Sequence, residues 1–325
     1  MSEVEPGLSR EEVVLGYRLM LGRLPESEQV IEAHRSAHAS LEAFGLAIRA
    51  SEEFRERLAG GEPHRLPPLD APPLEAETAA DAQTLARLLG HVAGYWSQVG
   101  RSAPHWSVLT EERFLPERFA EHRAAFFASG EWDAQVLDAT LARAGRMREE
   151  FVHCVEYGCG VGRATVALAV RFARVTGLDV SRPHLDLARQ ELAGRGIANV
   201  RLAEVTPAAL MPAEDYDLWY SHIVLQHNPP PVVMAILRRA FLRLRPGGMA
   251  VFQVPTWIEG YRFRTAEYLA ATPGAEMEMH AVPQAAILEL AAAHGLVLRD
   301  LREDNDLAGR PGKAISNRFA FEKRG

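Results

Sequence analysis

Between residues 150 and 260 the chain alternates short apolar runs with stretches whose apolar residues recur every three or four positions. The first run, Phe151 to Val155, leads into glycines at alternating positions, Gly158, Gly160 and Gly162. Ala164, Val166, Leu168, Ala169 and Phe172 follow at helical spacing. A short apolar run bounded by turn residues reads as a strand buried on both faces, and a three-to-four-residue period as an amphipathic helix. Strands are therefore expected near 152–157, 175–179, 200–203, 216–221 and 248–254, with helices near 162–173, 183–195 and 232–244. Such alternation implies an α/β, Rossmann-like fold, a parallel sheet with helices on both faces. Leu296 to Leu298 and Ile315 to Phe321 read as two closing strands, seven in all.

The N-terminal pattern differs. Ser9-Arg10-Glu11-Glu12 is a capping box, after which Val13, Tyr17, Met20 and Leu21 share a helical face. Pro25 suits a first helical turn, and Leu41, Phe44, Ala47 and Ile48 predict another helix. Residues 1–59 thus read as a small all-helical module for docking or oligomerisation. The prolines of residues 60–75 favour a stiff linker. Residues 76–150 read as a helical lead-in, with Leu85, Leu88, Leu89 and Val92 on one stripe and Val136, Leu137 and Leu141 on another. Between those stripes, Trp96, His105 and Trp106 lie among glycine, proline and serine, as a loop closing over a ligand would require; ordinary packing of those rings between helices is the alternative.

Composition narrows the function classes. At 325 residues, 47% of them hydrophobic, the chain can bury a full core and a second, smaller unit. Its net charge of −7 and the absence of a basic cluster argue against a nucleic-acid partner. No apolar run is long enough to span a membrane, and no signal-peptide core stands near Met1, so a cytoplasmic location is expected. Cys154 and Cys159 lack disulfide or metal-ligand spacing, and no metal is expected.

The glycine turn carries the chemistry. A strand turning tightly into a helix aims free N–H groups at a ligand, and a Cβ there would block its approach. Asp179 ends the next strand, where an open α/β sheet places a carboxylate against ribose hydroxyls. This much suits NAD, FAD or S-adenosylmethionine. Dinucleotide sites read Gly-x-Gly-x-x-Gly to admit a pyrophosphate. Here Glu156 precedes a tighter Gly158-Cys159-Gly160-Val161-Gly162, which leans toward a cofactor with an amino group and a sulfonium.

That turn is followed by Gly177-Leu178-Asp179-Val180-Ser181, Tyr216-Asp217-Leu218-Trp219-Tyr220-Ser221 and Leu244-Arg245-Pro246-Gly247-Gly248. The series resembles, in order and spacing, the motifs of class I S-adenosylmethionine-dependent methyltransferases over roughly 152–323. The resemblance implies that family's seven-stranded sheet, the last strand antiparallel and inserted between the fifth and sixth. It also implies S-adenosyl-L-methionine as cofactor, held by Glu156, Gly158, Cys159, Gly160, Gly162, Arg163, Asp179, Val180, Ser181, Val205 and Ser221. One motif departs from pattern: after the third strand stands Ala203-Glu204-Val205-Thr206, where Glu204 or Thr206 would meet the adenine. Residues 17–54 in turn resemble a short helical module that accompanies bacterial glycan-modifying enzymes.

The acceptor is expected beyond the strand ends. His222, Gln226 and His227 precede Asn228-Pro229-Pro230-Pro231, and histidine is the usual general base near neutral pH. A long insertion offers Tyr261, Arg264 and His280 amid aromatics, as a sugar-like acceptor needs. His227, His280 and His222 are therefore the candidate bases. Trp96, His105, Trp106, Gln226, Tyr261 and Arg264 are the candidate acceptor contacts. The acids of 302–306 read as a solvated turn. The leading expectation is O-methylation of a glycan, sugar or other small molecule. N-methylation of an amine or protein side chain, and a non-catalytic cofactor-binding scaffold, are the alternatives.

Overall fold

The computed structural model describes residues 8–21, 23–55, 72–271, 277–304 and 313–325. Most of the expected linker (60–71), Asn305 and Asp306 lie outside the described residues. Contacts divide the chain into two compact units, Met1–Pro68 and Leu69–Gly325.

In the smaller unit, α1 (Arg10–Gly16), α2 (Glu28–Ala37) and α3 (Leu41–Ala50) surround Val13, Tyr17, Ile31, Phe44 and Ile48. The capping box is reciprocal: Ser9 Oγ accepts the Glu12 N–H and Glu12 Oε2 accepts the Ser9 N–H. Pro25 stands outside any helix, because α2 starts only after Ser27, whose hydroxyl caps it by accepting the Val30 N–H.

The larger unit is built on a sheet of seven strands: β1 (His153–Tyr157), β2 (Arg174–Asp179), β3 (Val200–Glu204), β4 (Tyr216–Ser221), β5 (Leu244–Ile258), β6 (Leu296–Glu303) and β7 (Ala314–Lys323). Their order is β3-β2-β1-β4-β5-β7-β6. All neighbours are parallel except β7, which runs antiparallel to both β5 and β6. Alternate side chains separate two cores. Tyr157, Trp219, Phe252 and Phe319 pack on one side with α8 (Pro230–Arg243) and α9 (Gln284–Ala293). Cys154, Val175, Leu218 and Met249 pack on the other with α5 (Phe119–Arg143) and α6 (Arg163–Arg171). Covering both faces is what permits a central strand with no solvent-facing side, and every residue of β1 is buried.

Several elements depart from the expected ones. Tyr95 and Trp96 lie not on a loop but within α4 (Ala82–Ser102), whose apolar stripe continues past them. β6 is longer than expected, since an edge strand can carry Arg299, Arg302 and Glu303 toward water. Glu75, the last residue of the expected linker, pairs with Arg262 in a two-residue parallel ladder. Among the described residues no helix is long and apolar enough to cross a membrane.

Order reverses between β1 and β4, so their carboxyl ends open a crevice, where ligands of open α/β sheets bind. α7 (Arg182–Gly194) and α4 wall it on the β2 side, and α5 crosses behind α6. That crossing needs Gly130: a Cβ there would stand 2.1 Å from the Arg163 carbonyl oxygen.

Candidate active site

The turn after β1 is pinned at its base, where the N–H groups of Gly158 and Cys159 both donate to the Leu178 carbonyl, at 2.7 and 2.9 Å. Gly158, Gly160 and Gly162 take φ of 83°, 52° and 85°, the left-handed region that a Cβ disfavours. Space excludes side chains too: a Cβ on Gly158 would lie 2.3 Å from Val224 Cγ2, and one on Gly160 3.0 Å from Val108 Cγ2. Two carboxylates flank this turn. Asp179 Oδ2 accepts the Gly160 N–H and Oδ1 the Ser181 N–H, each at 2.8 Å. Glu156 is buried at the end of β1, with Oε2 accepting the Thr165 hydroxyl at 2.6 Å. Burial pushes the Glu156 carboxyl up to about 7; Asp133 and Asp179 push the same way, while Thr165 and Arg163 oppose it.

A cavity of about 460 Å³ opens over the turn. Glu156, Gly158, Cys159, Gly160, Arg163, Asp179 and Val180 all line it. Other expected cofactor residues stand behind the wall. Gly162 caps α6, and the Ser221 hydroxyl donates to the Tyr157 carbonyl. The Ser181 hydroxyl donates to the Trp96 carbonyl. Val205 is buried in the core, and Glu204 is exposed near Arg182. The β3 end therefore brings neither of these two side chains to the cavity.

One end of the cavity is ionic. Asp133, from α5, meets Arg163 Nη1 through Oδ2 at 2.6 Å and His222 Nδ1 through Oδ1 at 2.8 Å. On the far side of the ring, Asp304 Oδ2 lies 3.6 Å from Nε2, and Arg318 pairs with Asp304. Burial alone would lower the His222 pKa, but hydrogen bonds to Asp133 and Asp304 reverse the effect and raise it. Asp304 thus belongs to a buried ion network and not to a solvated turn. Asp133 escaped sequence reasoning, although an acid four residues before Leu137 on an apolar stripe was a signal that it is buried with a partner.

The other end is aromatic and thioether-rich. Trp96 meets His227 edge-on, with ring centroids 5.3 Å apart, and Met277 and Met279 join the wall. His227 Nδ1 donates to the Glu278 carbonyl at 2.9 Å, and its Nε2 accepts the Gln226 amide at 3.2 Å. Burial lowers its pKa to about 4. His280 stands outside the wall, bonded to the Tyr261 hydroxyl at 2.9 Å and facing Glu278 at 3.3 Å. Four expected acceptor contacts also lie elsewhere, Tyr261 among them beside His280. His105 stacks on Phe119 at 3.4 Å, Trp106 is half-buried outside the wall, and Arg264 pairs with Glu75 in solvent. Ser107 to Thr110, rather than the aromatics before them, close over the turn.

Residues 154–248 match a family of methyltransferase domains. The chain is similar to trans-aconitate 2-methyltransferase of Paracidovorax citrulli, 36% identical over 125 residues, covering 37% of this chain and 45% of that protein. Ubiquinone biosynthesis O-methyltransferase of Pseudomonas fluorescens is 32% identical over 133 residues, covering 40% and 53%. The chain spans about half the length of these curated relatives. A solved structure, N-methyltransferase NodS from Bradyrhizobium japonicum, is similar at TM-score 0.48 and 15% identity, over 72% of this chain and all of that one. Glycine turn, strand order and family match agree: the chain carries a class I S-adenosylmethionine-dependent methyltransferase domain.

Proposed function

We propose that this domain transfers the methyl group of S-adenosylmethionine to an oxygen of a small molecule, and that this oxygen is ionised near pH 7, a carboxylate above all. The observation that carries the reading is a pair of carboxylates, buried Glu156 and half-buried Asp179, flanking three left-handed glycines at the ends of neighbouring parallel strands. The residues fit the cofactor: the turn has no Cβ to fill its cradle, Glu156 suits a cationic amine, and Asp179 suits hydroxyls. Bound, S-adenosylmethionine supplies an electrophilic methyl carbon on a cationic sulfur.

Gly158, Cys159 and Gly160, their N–H groups spent within the turn, line its cradle, Val180 is an apolar flank, and Arg163 a cation steadied by Asp133. The protein's remaining task is alignment and exclusion of water, and alignment lowers such barriers by roughly 7–11 kcal/mol. Trp96, Val108, Met277 and Met279 form the dry wall for this.

The choice of an ionised acceptor rests on the histidines. His227 has its lone pair engaged by Gln226 and is held neutral far below pH 7, which makes it a weak base. His222 is held on Nδ1 by Asp133 and faces both Asp304 and the Arg318 guanidinium on Nε2, so both ring nitrogens are engaged by the network and neither is free to take a proton from an acceptor. A carboxylate needs no base, and one relative is named for trans-aconitate, itself a carboxylate. This reading moves away from a glycan hydroxyl, whose expected contacts Tyr261, Arg264 and His280 stand off the wall.

The test is release of S-adenosylhomocysteine at pH 7.5 with separate pools of small carboxylic acids, phenols, nucleotide sugars and amines. Turnover is expected with the acids. Turnover confined to sugars or amines overturns the acceptor assignment, and binding of NAD but not S-adenosylmethionine overturns the whole reading.

A further inference from the structure

Ile223 is the residue other than glycine that takes a positive φ, 55°, among the described residues. A β-branched side chain pays a steric cost there, so the conformation persists only where its surroundings hold it. Ile223 follows His222 at the end of β4 and lines the cavity. Its turn delivers Val224 onto Gly158, filling the space a Cβ would need. The backbone then runs into Gln226 and His227 at the aromatic end.

What holds this turn is one buried amide. Gln253, from the middle of β5, is 1% exposed and uses both of its ends. Its Oε1 accepts the Ile223 N–H at 3.0 Å. Its Nε2 donates to Gln226 Oε1 at 3.1 Å and also to the Ser316 hydroxyl on β7. Gln226 in turn donates to His227 Nε2, and the Asn228 side chain donates to the Val224 carbonyl. A single side chain of the sheet therefore fixes the glycine-turn wall and the aromatic wall relative to each other.

We propose that Gln253 is a positioning residue: it restrains the left-handed turn at Ile223 so that Val224 closes the cofactor side of the cavity while Gln226 and His227 are set on the acceptor side. The proposal rests on the cofactor reading above. Gln253 acts through Ile223 and Gln226, and its effect depends on strain that glycine does not feel.

That dependence supplies the test, calorimetric binding of S-adenosylhomocysteine to the full chain, with circular dichroism as the check on folding. Gln253→Met removes both ends of the amide and is expected to weaken binding roughly tenfold, the scale of one lost buried hydrogen-bond pair. Adding Ile223→Gly to Gln253→Met is expected to restore affinity to within about threefold of the natural chain, because glycine adopts the turn unaided. The melting temperature of the double variant should stay low, since Gln226 Oε1 and the Ser316 hydroxyl lose the Gln253 amide. Should Gln253→Met fail to fold, Ser316→Ala loosens one anchor of the amide and the same rescue applies. Affinity unchanged in the Gln253 or Ser316 variant, or no recovery with Ile223→Gly, overturns the proposal. If the natural chain binds no S-adenosylhomocysteine, the cofactor reading itself fails and takes the proposal with it.

Discussion

Glu156 links the pH dependence of stability to that of binding. Its ordinary pKa is 4.5, and burial raises it to about 7 in the folded chain. Below pH 4.5 folded and unfolded forms both carry the proton. Between 4.5 and about 7 only the folded form keeps it, so stability falls as pH rises through this window and levels off above it. Glu156→Gln removes that slope. Without cofactor it should be more stable than the natural chain at pH 8, by up to about 3 kcal/mol, with the difference falling to about 1 kcal/mol at pH 5. Parallel denaturation curves at both pH values would refute the linkage. Affinity for S-adenosylhomocysteine should rise between pH 6 and 8 as Glu156 ionises to meet an amine, and should be flat in Glu156→Gln. Asp133 acts differently, since it joins Arg163 and His222 in a buried network. Asp133→Ala should cost roughly 3–5 kcal/mol, read from urea midpoints, because it takes the carboxylate from the largely buried Arg163 guanidinium. A loss below 1 kcal/mol would mean that water replaces the carboxylate.

At the scale of elements, α4 and the segment after it meet α7 through His184. Its Nε2 meets the Ser107 hydroxyl at 2.9 Å, and its Nδ1 meets Ser181 at 2.7 Å. Gly100 leaves room for this seam, as a Cβ would stand 2.7 Å from Nδ1. Gly100→Ala should therefore lift the Ser107 to Thr110 wall and lower cofactor affinity while leaving the sheet intact. Unchanged calorimetry would show that the seam absorbs a methyl group. The same elements show what a sequence can reveal. The glycine turn, Asp179 and the strand series were legible because each depends on neighbours within one turn of chain. Asp133 and His222 lie 89 residues apart and meet only through the packing of α5 on the sheet, which no local spacing encodes. Trp96 was misplaced for a related reason: glycine and serine nearby suggest a loop, yet burial of the α4 stripe outweighs their weak propensity.

At the scale of the molecule, the glycine turn, both carboxylates and the ionic network lie within the unit Leu69–Gly325. Residues 69–325 expressed alone should bind S-adenosylhomocysteine within about threefold of the full chain, a modest change on the affinity scale. A larger loss would assign residues 1–68 a part in the site. The strand order carries one more consequence, for synthesis. β7 is made after every other strand yet slots between β5 and β6, bringing Ser316 to Gln253 and Arg318 to Asp304. Until that strand leaves the ribosome, the edge of β5 is an open template for stray pairing. A nascent chain should therefore gain its binding competence late, so that released chains ending near residue 300 fail to bind S-adenosylhomocysteine where released chains carrying residue 323 bind it.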